Sequence, residues 1–366
     1  MNLEGRVKLA ARLDAGRLCD VAIANERPLL AQRLLAGRSP QEAQWLLPNA
    51  FSICGRAQAV VAAAALEAAA GAAAGRAVQD RRLRELAGET AAEHAFRLLL
   101  DWPRATGSEG DPELLSRLRS LLLGAPESDA AWGAARDAVI AVMETRLLGT
   151  SLDSWLEQFS AAEWLQWASR GGTPIARTLA GLAGLPAWAS PETPALVHPA
   201  RQRFMEDIGL RALDDPGFCA RPELDGRPAE CGPLARCQLH PAVRDLAWRD
   251  RIAARAFARL AEFALLLRDD STASWIESAS PGPGIGVAAA EMARGLLVHA
   301  VAVEHGRIAR YAIVAPTEWN FHPRGALFAE LEGRPARSPE EARRTMACAA
   351  ATLDPCVALD LELADA

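Results

Sequence analysis

Two cysteines near opposite ends of this 366-residue chain lie in segments of similar design. The segment at 52–57 reads SICGRA, and the segment at 354–359 reads DPCVAL. Each is built like half of a four-cysteine metal site, with one cysteine where a C-x-x-C pair has two and with Ala57 or Leu359 at the second position. Two thiolates from opposite ends can serve one metal only if the fold brings Cys54 to Cys356. The sequence therefore predicts a single domain, 1–366, in which both ends converge on one site.

The rest of the chain has a predominantly helical pattern. Strong helix formers and apolar residues at three-to-four spacing predict helices at 57–75, 130–149, 241–268 and 338–351. Alternating apolar and polar residues at 296–303 and 308–314 predict a β-hairpin. Gly and Pro clusters predict loops at 181–194, 216–233 and 281–286, the last turning the chain back toward the site. The expected fold class is mainly α with a small β-hairpin or sheet.

Composition argues against several classes of function. The formal net charge is −6 without a basic block, whereas phosphate binding needs clustered cations, so we expect no nucleic-acid partner. Glu4 stands where a signal peptide would be basic, and the alanine-rich stretch 57–74 is too weakly apolar to span a membrane. Seven scattered cysteines do not resemble a disulfide framework. These features predict a cytoplasmic, reducing location.

Several further segments follow the motifs of one known family in the same order. They are LEG at 3–5, GRSPQEA at 37–43, GRPAECGPLAR at 226–236, EMARG at 291–295 and APTEWN at 315–320. Together with the two cysteine segments, they resemble the nickel-iron hydrogenase large subunit, whose four thiolates hold nickel and an iron that carries cyanide and carbon monoxide. The resemblance extends from residue 3 to residue 362 and implies a shortened form of that fold.

The departures from the family pattern indicate which of its members this chain resembles. Catalytic large subunits need all four cysteines, and a chain that keeps two is similar to the large-subunit-like accessory proteins of the HupK and HoxV type. The resemblance implies a non-catalytic maturation factor, a scaffold or chaperone that holds the Fe(CN)2CO fragment transiently and retains no nickel. The implied partners are other hydrogenase maturation proteins and the immature large subunit.

The resemblance also assigns residues around the iron fragment. Cys54 and Cys356 are the implied metal ligands, because thiolates are soft donors that suit such an iron. Arg294 and Thr317 match family residues that donate hydrogen bonds to cyanide, and Asp354 matches an acidic residue that pairs with the arginine. We expect the two sulfurs to lie within about 4–5 Å of each other, close enough to share one iron.

Other positions of the family pattern carry different residues here. Val61 stands where the first motif has a histidine, Glu362 where the last motif has a metal-binding histidine, and Gln32 where the family has a glutamate near magnesium. The resemblance thus implies an absent or altered magnesium site. Glu4 matches the family's proton-relay glutamate, which without turnover need only be a buried acid. His299 matches a family histidine, and its role is open between a core residue and a partner of a ligand.

Some alternatives stay open at this stage. Cys219, Cys231, Cys237 and His240 have a C-x11-C-x5-C-x2-H spacing that fits no common zinc site, and we interpret them as incidental residues of a loop without assigning a role. The chain could also be a metal-free structural protein, or a chaperone that mimics the large subunit. Metal content separates the cases: nickel and iron indicate an enzyme, iron alone a scaffold, and neither a structural protein.

Overall fold

Helices account for most of the computed structural model, which describes residues 5–26, 28, 30–51, 53–124, 127–196, 202–268 and 276–365. The α-helices in these ranges are α1 (Leu30–Leu35), α2 (Pro40–Ala50), α3 (Gly55–Ala69), α4 (Arg76–Phe96), α5 (Trp102–Ala105), α6 (Pro112–Gly124), α7 (Asp129–Val142), α8 (Leu152–Leu156), α9 (Ala161–Ser169), α10 (Pro174–Ala183), α11 (Gln202–Asp214), α12 (Pro216–Ala220), α13 (Pro233–Cys237), α14 (Pro241–Arg249), α15 (Arg251–Arg268), α16 (Pro316–Asn320), α17 (Ala326–Leu331) and α18 (Pro339–Leu353). Two π-helical segments, Arg97–Asp101 and Met143–Leu148, continue α4 and α7. None of the helices in these ranges is long and apolar enough to span a bilayer. The predicted predominance of helix is confirmed.

Several helices begin at a side chain that caps the first turn. Ser39 Oγ accepts a hydrogen bond from the Glu42 N–H, and the Glu42 carboxylate accepts one from the Ser39 N–H, which gives α2 a capping box. Ser338 caps α18 in the same way, by accepting from the Glu341 N–H. The helix predicted at 338–351 is therefore confirmed, and Asp354 ends it in the left-handed conformation.

Two of the predicted helices were wrong in their extent. The stretch 241–268 is broken into α14 and α15, because Asp250 leaves helical geometry (φ −160°, ψ 111°) and its carboxylate caps the Ala253 N–H. The helix predicted at 57–75 ends at Ala69, since Gly71 adopts a φ of 67°. The stretch 130–149 is confirmed as α7 and its π-helical continuation. In both wrong cases, helix-forming residues continue past the true boundary.

A three-stranded sheet joins the two ends of the described chain. β1 (Arg6–Asp14) and β2 (Arg17–Asn25) form an antiparallel hairpin, and β7 (Ala358–Asp365) pairs with β1 in parallel. Val7, Leu9 and Ala11 alternate toward the interior, which is the period-two pattern of a half-buried strand. This sheet is not predicted from the sequence. Because Cys356 lies two residues before the start of β7, the pairing places one half of the candidate site beside the first hairpin.

The predicted hairpin belongs to a four-stranded antiparallel sheet. In spatial order its strands are β3 (Ile276–Gly282), β4 (Ile285–Met292), β5 (Gly295–Glu304) and β6 (Arg307–Val314). β5 and β6 confirm the hairpin, and His305 and Gly306 at its turn both have positive φ. The loop predicted at 281–286 is shorter than expected, because only Pro283 and Gly284 lie between β3 and β4.

α3 packs directly on this sheet and carries Cys54 at its start. Gly286 on β4 allows the close approach, because a Cβ at that position would lie 1.9 Å from the Ala65 carbonyl oxygen. Apolar side chains of α3, β4 and β5 form one buried cluster. A larger cluster includes residues from Val7 to Leu353, so both ends of the described chain contribute to the same core.

Candidate functional site

Cys54 occupies the position just before the first residue of α3, and its side chain is buried. Glu89 of α4 accepts hydrogen bonds from the backbone N–H groups of Arg56 and Ala57, both at 2.9 Å. This carboxylate does for α3 what an N-cap side chain does at other helices. Burial raises the pKa of Glu89, and the two N–H groups oppose that rise. Glu89 therefore fixes the helix start that carries Cys54.

Cys356 follows α18, and the end of that helix shapes this half of the site. Asp354 has a φ of 60°, and the chain leaves the helix through it before Pro355 and Cys356. The Thr317 hydroxyl, at the start of α16, donates a hydrogen bond to Cys356 Sγ at 3.0 Å. Thr317 thus lies at the second retained thiol, and its contact with cyanide stays a prediction.

Arg294 and Asp354 form the centre of a buried ion cluster. Arg294 Nε lies 3.2 Å from Asp354 Oδ1, and Arg294 Nη2 donates to Glu93 Oε2 at 2.9 Å. Asp354 also pairs with Arg97, and Arg259 Nη1 lies 2.9 Å from Asp354 Oδ2. The pairing that the resemblance implies for Arg294 and Asp354 is therefore present. Arg97 also pairs with Asp101, and Glu93 with Arg119, so four guanidinium groups face three carboxylates, which leaves one formal positive charge in the cluster.

Electrostatic interactions connect Arg294 with both retained thiols. Burial lowers the pKa of Arg294, but Asp354 and Glu93 raise it above the ordinary value, and the thiols of Cys356 and Cys54 add to that rise. Burial alone would raise the pKa of Asp354, yet the surrounding guanidinium groups hold it well below its usual range. One guanidinium therefore interacts with both cysteines. Their sulfur–sulfur separation of about 4–5 Å stays a prediction.

One face of α4 and its π-helical continuation holds the parts of the site in register. Glu89 anchors the start of α3, Glu93 binds Arg294, and Arg97 donates to the Pro355 carbonyl oxygen at 3.1 Å. The three α4-side residues are four positions apart, so they project from the same side of the helix. These three residues are not predicted from the sequence. Their spacing was visible, but a charged stripe on a helix usually faces solvent.

A buried hydrogen-bond chain leads away from Cys54. Gln58 Nε2, one helical turn further on, lies 3.8 Å from Cys54 Sγ, and Gln58 Oε1 lies 3.0 Å from His299 Nε2. His299 Nδ1 lies 2.8 Å from Tyr311 Oη. His299 is therefore a buried residue with a hydrogen bond at each ring nitrogen. Burial lowers the pKa of His299 to about 3, so the imidazole is neutral.

The structure shows where the residues that depart from the family pattern lie. Ala57 is fully buried in the first turn of α3, and Leu359 lies on β7, where it packs against the core. Glu362 is exposed on the same strand. Gln32 Oε1 accepts a hydrogen bond at 2.6 Å from a backbone N–H of β6. Glu4, the predicted counterpart of the proton-relay glutamate, lies outside the described residues.

The second group of cysteines is dispersed. Cys219, Cys231 and Cys237 each donate to a backbone carbonyl oxygen, at 3.5, 3.7 and 3.7 Å, and burial raises the pKa of all three thiols. His240 Nε2 lies 3.4 Å from another carbonyl oxygen. In the described parts of the chain, no group of three or more His, Cys, Asp or Glu side chains could hold a metal ion. Cys219 lies on α12 and Cys237 on α13, so the interpretation of these residues as part of a loop is wrong for these two.

Known proteins resemble this chain in sequence over most of its length. The family model for nickel-dependent hydrogenase matches residues 252–359. The hydrogenase expression/formation protein HoxV of Cupriavidus necator is 36% identical, with 94% of this chain and 93% of HoxV covered. The hydrogenase expression/formation protein HupK of Rhizobium leguminosarum bv. viciae is 32% identical, with 99% of this chain and 97% of HupK covered.

Solved structures show the same fold. The reduced Ni-Fe-Se hydrogenase of Desulfovibrio vulgaris Hildenborough matches with a TM-score of 0.62 and 16% identity, over 94% of each chain. The reduced, active Ni-Fe-Se hydrogenase of Desulfomicrobium baculatum matches with a TM-score of 0.59 and 15% identity, over 94% of this chain and 95% of that chain. These likenesses confirm the predicted large-subunit-like fold. With its identity to HoxV and HupK along nearly the whole chain, the protein belongs to the family of hydrogenase expression/formation proteins.

Proposed function

We propose that this protein is a non-catalytic maturation factor for nickel-iron hydrogenase that carries the Fe(CN)2CO fragment as its cargo. In this proposal the sulfurs of Cys54 and Cys356 bind the iron, and the fragment then passes to the immature large subunit. Other hydrogenase maturation proteins deliver it. The relatives' names as hydrogenase expression/formation proteins support the maturation role and this choice of partners.

One observation carries the proposal: Arg294 Nη1 is buried and has no hydrogen-bond partner among the described residues. Of the other two nitrogens, Nη2 donates to Glu93, and Nε lies 3.2 Å from Asp354 Oδ1 in an ion pair without a hydrogen bond, so Nη1 is held in a fixed orientation. Leaving such a donor unpaired costs about 1–3 kcal/mol. Iron-bound cyanide carries negative charge on nitrogen and accepts hydrogen bonds. Because the same guanidinium interacts with Cys54 and Cys356, a cyanide on an iron at these thiols is a suitable acceptor.

The charge of the ion cluster also suits this cargo. Its four guanidinium groups and three carboxylates leave one formal positive charge. Thiolates and cyanide are anionic, and buried anions need nearby cations or hydrogen-bond donors. The cluster therefore supplies the compensation that an anionic ligand set requires at this depth.

The same set of ligands argues against hydrogen turnover. Ala57 and Leu359 provide no donor atoms where the resembling family has bridging thiolates, so two protein sulfurs remain for a centre built with four. We therefore propose that the protein does not retain nickel. The double variant Ala57→Cys, Leu359→Cys should still fail to oxidise hydrogen in a dye-reduction assay, because Glu362 also replaces the metal-binding histidine. Hydrogen oxidation by that variant would show that the missing thiolates alone separate this chain from the enzyme.

Infrared spectroscopy tests the cargo directly. Protein purified from a hydrogenase-expressing host should show cyanide and carbon monoxide stretches, and metal analysis should find iron without nickel. In Arg294→Leu the intensity of these bands per mole of folded protein should fall. Arg334→Leu is the matched control, because Arg334 is equally buried between two carboxylates, those of Glu330 and Asp250. If the wild type shows no such bands, the proposal that the protein carries the iron fragment is contradicted. If the bands are unchanged in Arg294→Leu, the proposal that Arg294 donates to cyanide is contradicted.

A second candidate is a metal-free chaperone that mimics the large subunit for maturation partners. The fold likeness to a hydrogenase over 94% of each chain favours this alternative. Such a chaperone needs the surface of the fold but not the two thiols. Host hydrogenase maturation should therefore survive Cys54→Ser and Cys356→Ser if this candidate is correct, whereas the carrier should lose function in both variants.

A further inference from the structure

The two retained thiols share a feature that the ligand assignment does not require. Each sulfur faces an uncharged hydrogen-bond donor: the Gln58 amide nitrogen lies 3.8 Å from Cys54 Sγ, and the Thr317 hydroxyl donates to Cys356 Sγ at 3.0 Å. Sulfur bonds are long, so both distances are compatible with hydrogen bonds. Gln58 lies on α3 and Thr317 on α16, which are far apart in the sequence. The two contacts to sulfur therefore do not arise from the geometry of a single helix.

The donor at Cys54 is oriented by the residues behind it. Gln58 Oε1 lies 3.0 Å from His299 Nε2, and His299 Nδ1 lies 2.8 Å from Tyr311 Oη. A metal-bound sulfur carries no proton and can only accept a hydrogen bond. The chain must then run in one direction, with Tyr311 donating to His299, His299 to Gln58, and Gln58 to Cys54.

The protonation states of the two outer residues support this direction. Burial lowers the pKa of His299 to about 3, so the ring carries one proton, on Nε2 when Nδ1 accepts from the phenol. Burial also raises the pKa of Tyr311, which keeps the phenol protonated. Tyr311, His299 and Gln58 are therefore all uncharged, and each has a proton that it can donate to the next residue toward Cys54.

We propose that Gln58 is a positioning residue whose hydrogen bond weakens the donation of the Cys54 sulfur to the bound iron and so eases release of the cargo. This inference rests on the proposed carrier function. Hydrogen bonds to a metal-bound sulfur draw electron density from it and tune the metal. Thr317 acts in the same way at Cys356, where its single hydroxyl proton donates to the sulfur in place of the cyanide contact that the resemblance implies. The site thus contains two sulfurs whose hold on the metal is reduced by built-in donors, as a carrier requires.

The test compares the iron fragment in the wild type and in Gln58→Met, which keeps the side-chain length and removes the N–H donor. With stronger donation from Cys54, the carbon monoxide stretch should move to lower wavenumber. The bands should also disappear about fivefold more slowly after addition of apo large subunit, the factor that one ordinary hydrogen bond is worth. A change in folding alone would lower the amount of loaded protein without moving the bands.

Tyr311→Phe provides a second variant that leaves Gln58 in place. It removes the donor that orients His299, so the shift should have the same direction and a smaller size. Bands that stay at their wild-type positions in both variants, or move to higher wavenumber, overturn this inference while leaving the carrier intact. Absence of bands in the wild type overturns the carrier itself and this inference with it.

Discussion

Replacement of Asp354 by asparagine isolates the charge at the centre of the ion cluster. Asp354 is 1% exposed and is paired with Arg97, Arg259 and Arg294. Asparagine has nearly the same shape and also tolerates the left-handed backbone, so the change removes little besides the charge. Asp101, paired with Arg97, and Glu93, shared between Arg294 and Arg119, would then be the carboxylates left beside these cations. Breaking a buried ion pair costs about 3–5 kcal/mol, and we expect the free energy of unfolding to fall by that amount at pH 7.

Urea denaturation followed by circular dichroism measures this loss. The folded-state pKa of Asp354 is lowered, so its stabilisation is present above the ordinary pKa of about 3.9 and disappears as pH falls through the lower folded value. The difference between wild type and Asp354→Asn should therefore be largest near neutral pH and shrink below about pH 4. Asp360→Asn, which breaks an exposed pair with Arg6, is the control and should change stability far less. A loss below about 1 kcal/mol for Asp354→Asn at pH 7 would refute the reasoning.

Three further predictions concern other parts of the site. Glu89→Ala leaves two backbone N–H groups at the start of α3 without their acceptor, so the free energy of unfolding should fall by about 2 kcal/mol in urea denaturation; an unchanged value would show that water replaces the carboxylate. Cys54→Ser and Cys356→Ser should each lower hydrogenase activity in the host at normal protein abundance, whereas Cys19→Ser, on β2, should not; full activity in both site variants favours the metal-free chaperone. Because the folded-state pKa of His299 is lowered to about 3, its stabilisation is present above the ordinary pKa of about 6.5 and is lost as pH falls below it. In His299→Gln, the loss of unfolding free energy between pH 7 and pH 5 should be smaller by about 2 kcal/mol, and an equal loss in both proteins contradicts the buried neutral ring.

The central residues of the site could be predicted from sequence because each belongs to a short local motif. Such motifs mark Cys54, Arg294, Thr317 and Asp354, whose roles as ligands and donors stay predictions, and the structure brings Arg294 and Asp354 into contact. Glu89 and its neighbours on α4 could not be recognised, because a charged helix stripe has the same pattern whether it faces solvent or a buried cluster. Only the three-dimensional packing decides which of these applies.

The fold was predictable where its signals are local. The turn at His305 and Gly306 identified the second hairpin, and similar information was present but unused at Ala15 and Gly16, where β1 turns into β2. The parallel pairing of β1 with β7 could not be derived, since no local pattern specifies a partner at the other end of a chain. The break at Asp250 was missed because apolar spacing continues through it, although aspartate is a common helix start.

The pairing of β1 with β7 has a consequence for the time at which the site can exist. Arg6 and Asp360 are 354 positions apart and are joined at 2.8 Å. Ribosomes release a chain from its N-terminus at about 5–20 residues per second, and contacts of such long separation close late. A nascent chain therefore exposes Cys54 for many seconds before Cys356 is made or β7 can dock. If the protein is the proposed carrier, a polypeptide that is still being synthesised cannot bind the iron fragment through both cysteines. Only molecules in which β7 has been completed can bind it.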